Sequence, residues 1–255
     1  MIREIQNTDL VVEPPVFKCD NCISDNIAEP LPKTAFAMGL IGSAGSGKTS
    51  LMVNMLTKPN MYRQAFDHVH LFAPKSSMDS LRDDIWEDHP SDKVHHALDY
   101  TTLDSIHTKT RSRAKVKPNP ETTLIVIDDM TVWLKHKQVE AKLREMIFNR
   151  RHNYTSLMIL VQSYKALPMD LRKTLSQFFL FKPRNKKEAE AIWEELMFVP
   201  RTLGESILQF AFREPYDFLM GDCGTGEMYH NFNRIVLPED GTRTEDEEDI
   251  IVDGS

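Results

Sequence analysis

Gly42-Ser43-Ala44-Gly45-Ser46-Gly47-Lys48-Thr49 meets the spacing G-x-x-x-x-G-K-[ST], a pattern that does phosphate chemistry. Its glycines let backbone amides turn inward around an anion, and the helix that follows presents its positive N-terminal end to the same charge. Lys48 is placed to reach the β and γ phosphates of a nucleotide, Thr49 to offer its hydroxyl to a magnesium ion, and Ser50 to complete the phosphate-contacting set. Asp128 and Asp129 close the apolar run Leu124-Ile125-Val126-Ile127, and Asp128 is the expected magnesium-side acid. Asp129 suits a hydrolytic reaction, where an acceptor must orient water and take its proton, although capping of the next segment is its other use. Gln162 follows the apolar run Leu157 to Val161, where a neutral amide can touch both the γ phosphate and the attacking water. Arg150 and Arg151 lie just before that run; in a ring of subunits either guanidinium could project into a neighbour's site, where its planar fork suits phosphate. Arg172 and Arg184 are weaker candidates, and a solvated face accounts for any of the four as well.

These residues need elements to hold them. Residues 35 to 41 form an apolar run of strand length and residues 50 to 56 form a helix, so the glycine loop has the strand before and helix after that confirm it. Further strands are expected at 69–73, 124–127, 157–161 and 178–181, with helices at 80–86, 137–150 and 187–197. Residues 218 to 230 surround a Gly-rich centre and read as a terminal hairpin. This alternation calls for an α/β fold, a central and mostly parallel sheet flanked by helices. Parallel strands would carry Asp128 and Gln162 to the same edge as the phosphate loop, where open α/β sheets bind ligands. Lys109, Arg111, Arg113, Lys115 and Lys117 alternate with neutral residues ahead of Pro118 and Pro120; an edge strand or a basic loop would result, and proline favours the loop.

With 255 residues and 41% hydrophobic content the chain can bury one substantial core. It divides into a proline-bearing extended arm at 1–34, a phosphate-binding domain at 35–238 and an acidic tail at 239–255. No apolar run approaches the roughly 20 residues that cross a bilayer, and no signal-peptide pattern is present, so a soluble intracellular protein is expected. Cys19 and Cys22 have the spacing of half a zinc site, but no second pair follows, and with Cys223 they read as free thiols. The tail carries eight acids and one base, so the whole formal charge of −7 resides there and the remainder is balanced. Such a tail serves solvation or interaction.

With these pieces in place the chain resembles the FtsK–HerA division of P-loop ATPases, and within it the poxvirus-type genome-packaging ATPases of large DNA viruses. The resemblance spans roughly residues 35 to 185 and rests on Leu40 to Ser50, on Leu124 to Met130, and above all on Asn149-Arg-Arg-His-Asn-Tyr-Thr-Ser-Leu-Met-Ile-Leu-Val-Gln-Ser163 followed by Leu167 to Arg172. It implies a RecA-like (ASCE) fold and a ring of five or six copies, hydrolysing ATP with magnesium to drive double-stranded DNA into a preformed capsid. It further implies a capsid or portal-vertex partner, and a setting in the host-cell cytoplasm, at the virus factory, and in the virion. Family roles fall on Lys48 and Thr49, on Asp128 and Asp129 as the Walker B pair, on Gln162 as sensor, and on the segment holding Arg150 and Arg151. Related cellular translocases carry Glu where this chain has Asp129. A DNA motor also needs cations that bind phosphate without reading bases. The 109–117 run supplies one such set, and Lys182, Arg184, Lys186 and Lys187 a second.

Other readings share the loop. A plasmid-transfer or replication ATPase has the same core chemistry. A guanine-nucleotide switch is suggested by Asn185-Lys186-Lys187-Glu188, which mimics N-K-x-D with Glu in place of Asp, but no D-x-x-G follows Asp128. A kinase would transfer phosphate to a bound acceptor, whereas Asp129 and Gln162 suit water.

Overall fold

The computed structural model describes residues 23–78, 85–116, 118–197 and 199–237. Cys19, Cys22, Lys117, most of the helix expected at 80–86 and the acidic tail lie outside them. Among the described residues nine strands form one sheet in the order β3-β2-β4-β5-β1-β6-β7-β8-β9. The strands are β1 (Ala37–Ile41), β2 (His68–Phe72), β3 (Val94–His95), β4 (Thr123–Asp128), β5 (Thr155–Val161), β6 (Gln177–Phe181), β7 (Phe218–Asp222), β8 (Met228–His230) and β9 (Asn233–Arg234). The six strands from β3 to β6 in that order run parallel; β7, β8 and β9 add to β6 antiparallel.

The continuous apolar runs of β1, β4, β5 and β6 are buried along their whole length because helices cover both faces. On one face Met38, Leu40, Val126 and Leu160 pack with Leu51, Met52 and Met55 of α1 (Lys48–Thr57). On the other, Ile41, Ile125, Ile127 and Ile159 pack with α3 (Tyr100–Arg113), α5 (Lys137–Phe148), α7 (Lys186–Ile192) and α8 (Arg201–Ala211). Three single-turn helices, α2 (Lys75–Met78), α4 (Thr131–Leu134) and α6 (Met169–Arg172), occupy the loops after β2, β4 and β5. Residues 23–34 carry no strand or helix, yet Ile27 and Leu31 are buried in the α1 face, and Tyr62 donates its hydroxyl to the Pro32 carbonyl.

One expectation is corrected. Lys109, Arg111 and Arg113 lie in the last turns of α3, with Lys115 just beyond, and not on a loop or an edge strand. Leu103, Ile106, His107 and Thr110 are buried at helical spacing, and Asp99 caps the first turn by accepting from the Thr102 amide at 2.9 Å. That cap contributes on the order of 1 kcal/mol. The prolines act only after the helix has ended. At 100° per residue Lys109 and Arg113 share a side of the helix and Arg111 faces away, so alternation in sequence does not become one basic face.

Candidate nucleotide-binding site

Gly42 continues β1 by one residue, its amide donating to the Val161 carbonyl at 3.1 Å, and the chain then turns out of the sheet into the loop that ends at α1. Two features require glycine. A Cβ on Gly42 would stand 2.6 Å from Phe181 Cβ and 2.6 Å from Ser46 Oγ. Gly47 sits at φ +105°, a left-handed conformation closed to most L residues, between the rings of Phe181 and Tyr216. As the residue before α1, Gly47 offers no side-chain cap, and no acid occupies the first turn. The N-terminal amides of α1 and its dipole are thus left to an external anion.

Lys48 is buried, and its Nζ donates to the carbonyls of Gly42 at 2.7 Å and Ser43 at 2.9 Å. Burial lowers its pKa and the charge of Arg184 adds to the effect, while Asp128 and Asp129 oppose it. Asp128 ends β4 opposite Leu160 of β5, and Leu40 of β1 is Leu160's partner on the other side; β5 therefore separates the acid's strand from the loop's strand. Burial pushes the Asp128 carboxyl up to about 6, and the neighbouring charge of Asp129 acts in the same direction. Lys48 and a hydrogen bond from the Thr49 hydroxyl pull the other way. Asp129 follows at φ +54°, which turns the chain out of the strand direction. The Gln162 amide donates to Asp129 Oδ1 at 2.8 Å, tying the ends of β4 and β5 together.

Lys48, Thr49, Asp128, Asp129 and Gln162 line a single cavity of about 270 Å³, together with Ala44 and Gly45. Ser77 of α2 also lines it, a residue without a sequence signal, because a serine on a short loop helix carries no pattern. Ser50 lies one position further along α1 with its side chain exposed. The wall suits a magnesium nucleotide. A hydroxyl and a carboxylate stand together as hard oxygen donors, the charge of Asp129 adds to Asp128's need for a cation, and Ser46 Oγ, in the same loop, is buried with no hydrogen-bond partner among the described residues.

Arg150 and Arg151 are not brought to this cavity. They line another, of about 410 Å³, at the opposite edge of the sheet, beside Phe36, Gln177 and Asp222. The two arginines differ. Arg150 is half-buried, its Nε donating to the Ala35 carbonyl at 3.3 Å and its Nη1 to the Ile147 carbonyl at 3.0 Å, whereas Arg151 is exposed. Arg172 is buried against the Tyr164 ring and Glu195. Arg113 pairs with Glu121, leaving Lys109, Arg111 and Lys115 exposed.

Asn185-Lys186-Lys187-Glu188 has a local use unrelated to guanine recognition. Asn185 Oδ1 accepts from the Glu188 amide at 3.0 Å and starts α7, and the Glu188 carboxylate accepts from the Tyr164 amide at 2.8 Å. Cys223 is an exposed free thiol, and no group of three or more His, Cys, Asp or Glu side chains among the described residues could hold a metal ion. Among the described residues no helix is long and apolar enough to cross a membrane.

No curated protein matches the chain. Among solved structures, the genome packaging NTPase B204 of Sulfolobus turreted icosahedral virus 2, in complex with AMPPCP, superposes with a TM-score of 0.60. It shares 17% sequence identity, over 80% of this chain and 99% of that one. The same protein with ATP-gammaS gives a TM-score of 0.58 at 17% identity, over 79% of this chain and 98% of that one. The cytoplasmic domain of the type VII secretion ATPase EccC from Thermomonospora curvata gives 0.51 at 11% identity, covering 80% of this chain and 24% of that longer one. At such identities these likenesses establish the fold, a P-loop NTPase core with a mostly parallel sheet. The model of the poxvirus A32 protein family matches residues 26–199, which hold every element from the buried Ile27 segment through α7, and the chain belongs to that family.

Proposed function

We propose that this protein is an ATP-hydrolysing motor that moves double-stranded DNA into a viral capsid. The observation that carries the reading is the one cavity shared by Lys48, Thr49, Asp128, Asp129 and Gln162, because transfer of a γ phosphate to water needs these functions within reach of one another. The amides of residues 42–47 and the α1 terminus hold the triphosphate, and Lys48 exchanges the loop carbonyls for phosphate oxygens. Thr49 and Asp128 would hold magnesium, which when bound neutralises phosphate charge. Asp129 orients the attacking water and takes its proton, and Gln162, hydrogen-bonded to Asp129, carries the state of the γ phosphate to β5.

Arg151 completes a neighbour's site. The seven residues of β5 separate the two arginines from their own cavity by roughly 20 Å, so neither serves it from within one subunit. Arg150 is half-buried in its own subunit, whereas Arg151 is exposed at the surface a neighbour would meet, and Arg151 takes the role of the finger. Arg151→Ala should lose on the order of 10³-fold in turnover while still binding ATP. Mixing it with a Lys48→Ala protein, inactive alone, should restore part of the activity, since an intact cavity then meets an intact arginine. No restoration at any ratio would put the arginine in another role.

A homo-oligomeric ring of five or six copies, a capsid or portal-vertex partner and action in the cytoplasm of the infected cell, with carriage into the virion, complete the reading. DNA binding falls to exposed bases near the end of α3. Replacing Lys109, Arg111 and Lys115 by alanine should weaken duplex binding at low salt and flatten its salt dependence, by about 0.9 in log–log slope for each phosphate no longer neutralised. Basal hydrolysis should not change. An unaltered slope in fluorescence anisotropy would remove α3 from the DNA path.

A further inference from the structure

A second depression lies between the chain leaving β6, the start of α7 and the end of α8. It is a groove of about 440 Å³ whose floor is apolar, built from Pro183, Ala189, Leu208 and Phe212, and whose rim carries Lys182 and Lys186. Arg184 and Lys187 stand in the same segment. Among the acids on the helices around it, Glu188 accepts from the amides of Tyr164 and Arg184, and Glu190 and Glu205 share Arg201. Lys182, Lys186 and Lys187 form no ion pair among the described residues. The groove therefore pairs an apolar floor with lysines that have no ion-pair partner among the described residues, a combination that fits an acidic and aliphatic peptide.

The chain itself contains one. Glu245-Asp246-Glu247-Glu248-Asp249 is followed directly by Ile250-Ile251-Val252. We infer that residues 245–252 dock into this groove of their own chain, the aliphatic triplet on the Leu208–Phe212 floor and the acids against Lys182, Arg184 and Lys186. The path is short enough. The Phe210 ring of α8 lies 5.7 Å from the His230 ring of β8, whose partner in β9 is Asn233. From Asn233 to Glu245 is twelve residues, which extend to at most roughly 40 Å. Charge opposition steers the acids to the rim, and burial of the triplet holds them there.

Docking has a consequence that rests on the motor reading. The groove's Lys182 and Pro183 directly follow Phe181, whose ring borders Gly42 and Gly47 of the phosphate loop, so the groove and that loop meet along one stretch of chain. A polyanionic segment held there occupies Lys182, Arg184 and Lys186, which as a second basic set beside that of α3 would otherwise meet DNA phosphates, and keeps duplex affinity low until the tail is displaced.

Hydrogen exchange on the full-length protein tests the docking without reference to DNA. Two variants are compared with wild type: one with Glu245, Glu247 and Glu248 changed to Gln and Asp246 and Asp249 to Asn, the other carrying Ile250→Ser and Ile251→Ser. Both should speed exchange several-fold in residues 182–189 and 203–212, with β4 and β5 unchanged, and 0.5 M salt should do the same to wild type. Protection that persists on dilution is intramolecular; protection that disappears on dilution, or exchange equal in all three proteins, overturns the inference. The acid-neutralised variant should bind duplex DNA about tenfold more tightly at low salt. If neither protein binds DNA while the groove is still protected in wild type, docking stands and the DNA reading fails.

Discussion

Lys48→Ala should reduce ATP turnover by roughly 10²–10³-fold, which corresponds to about 3–4 kcal/mol of lost transition-state stabilisation. The size follows from position. Lys48 is a buried cation at the mouth of α1, facing Asp128 and Asp129, and its Nζ is held by two carbonyls of its own loop. Those bonds are the kind that a triphosphate replaces, so the ammonium needs no new burial to meet charge growing on the γ phosphate. The substitution removes the charge and leaves the Gly42 and Ser43 carbonyls facing the cavity, so the fold should persist. Phosphate release with saturating magnesium and ATP reads the rate, and a thermal melt beside it confirms folding. A variant that folds and retains more than a tenth of wild-type turnover would remove Lys48 from the chemistry.

Asp129→Asn should cost 10²–10⁴-fold in turnover with ATP affinity unchanged. Asparagine is the informative replacement here. It tolerates the left-handed backbone at φ +54°, and its Oδ1 can still accept the Gln162 amide, so only the basicity is lost. Asp128→Asn differs in kind. That carboxylate is buried, takes the Thr49 hydroxyl and belongs to the pair proposed to hold magnesium, so its loss should raise the magnesium concentration needed for half-maximal rate as well as lower the rate. Titrating magnesium against turnover for both variants separates the roles. Equal magnesium dependence in the two would mean that the pair acts as one unit, and a fully active Asp129→Asn protein would require another base.

The site was legible because its parts end apolar runs. Val161 and Asp128 close strands covered on both faces, so the residues at those ends had to emerge at the edge where the loop after Ile41 also emerges. That logic placed Asp128 and Gln162 beside Lys48 with no knowledge of strand order. The order itself, with β5 between β1 and β4, was not readable from patterns within each strand, since it depends on pairing between distant segments. The basic run is misleading because its alternation begins only at Lys109, while Leu103, Ile106 and His107, which make α3 a helix, lie earlier. The amphipathic α8 has its sequence signal in Pro200 at its start and in Ile207, Leu208 and Ala211 along its inner side. Arg150 and Arg151 are adjacent in sequence, and only their burial in the fold, half-buried against exposed, distinguishes them.

That hydrolysis at this cavity drives DNA is tested most directly by phosphate release from the purified, oligomeric protein with and without long double-stranded DNA. Long duplex should stimulate hydrolysis, short duplex should do so less, and Lys48→Ala should abolish the response. Hydrolysis that depends on Lys48 but is indifferent to DNA of every length would contradict the motor reading, leaving an ATPase whose moving substrate is not DNA.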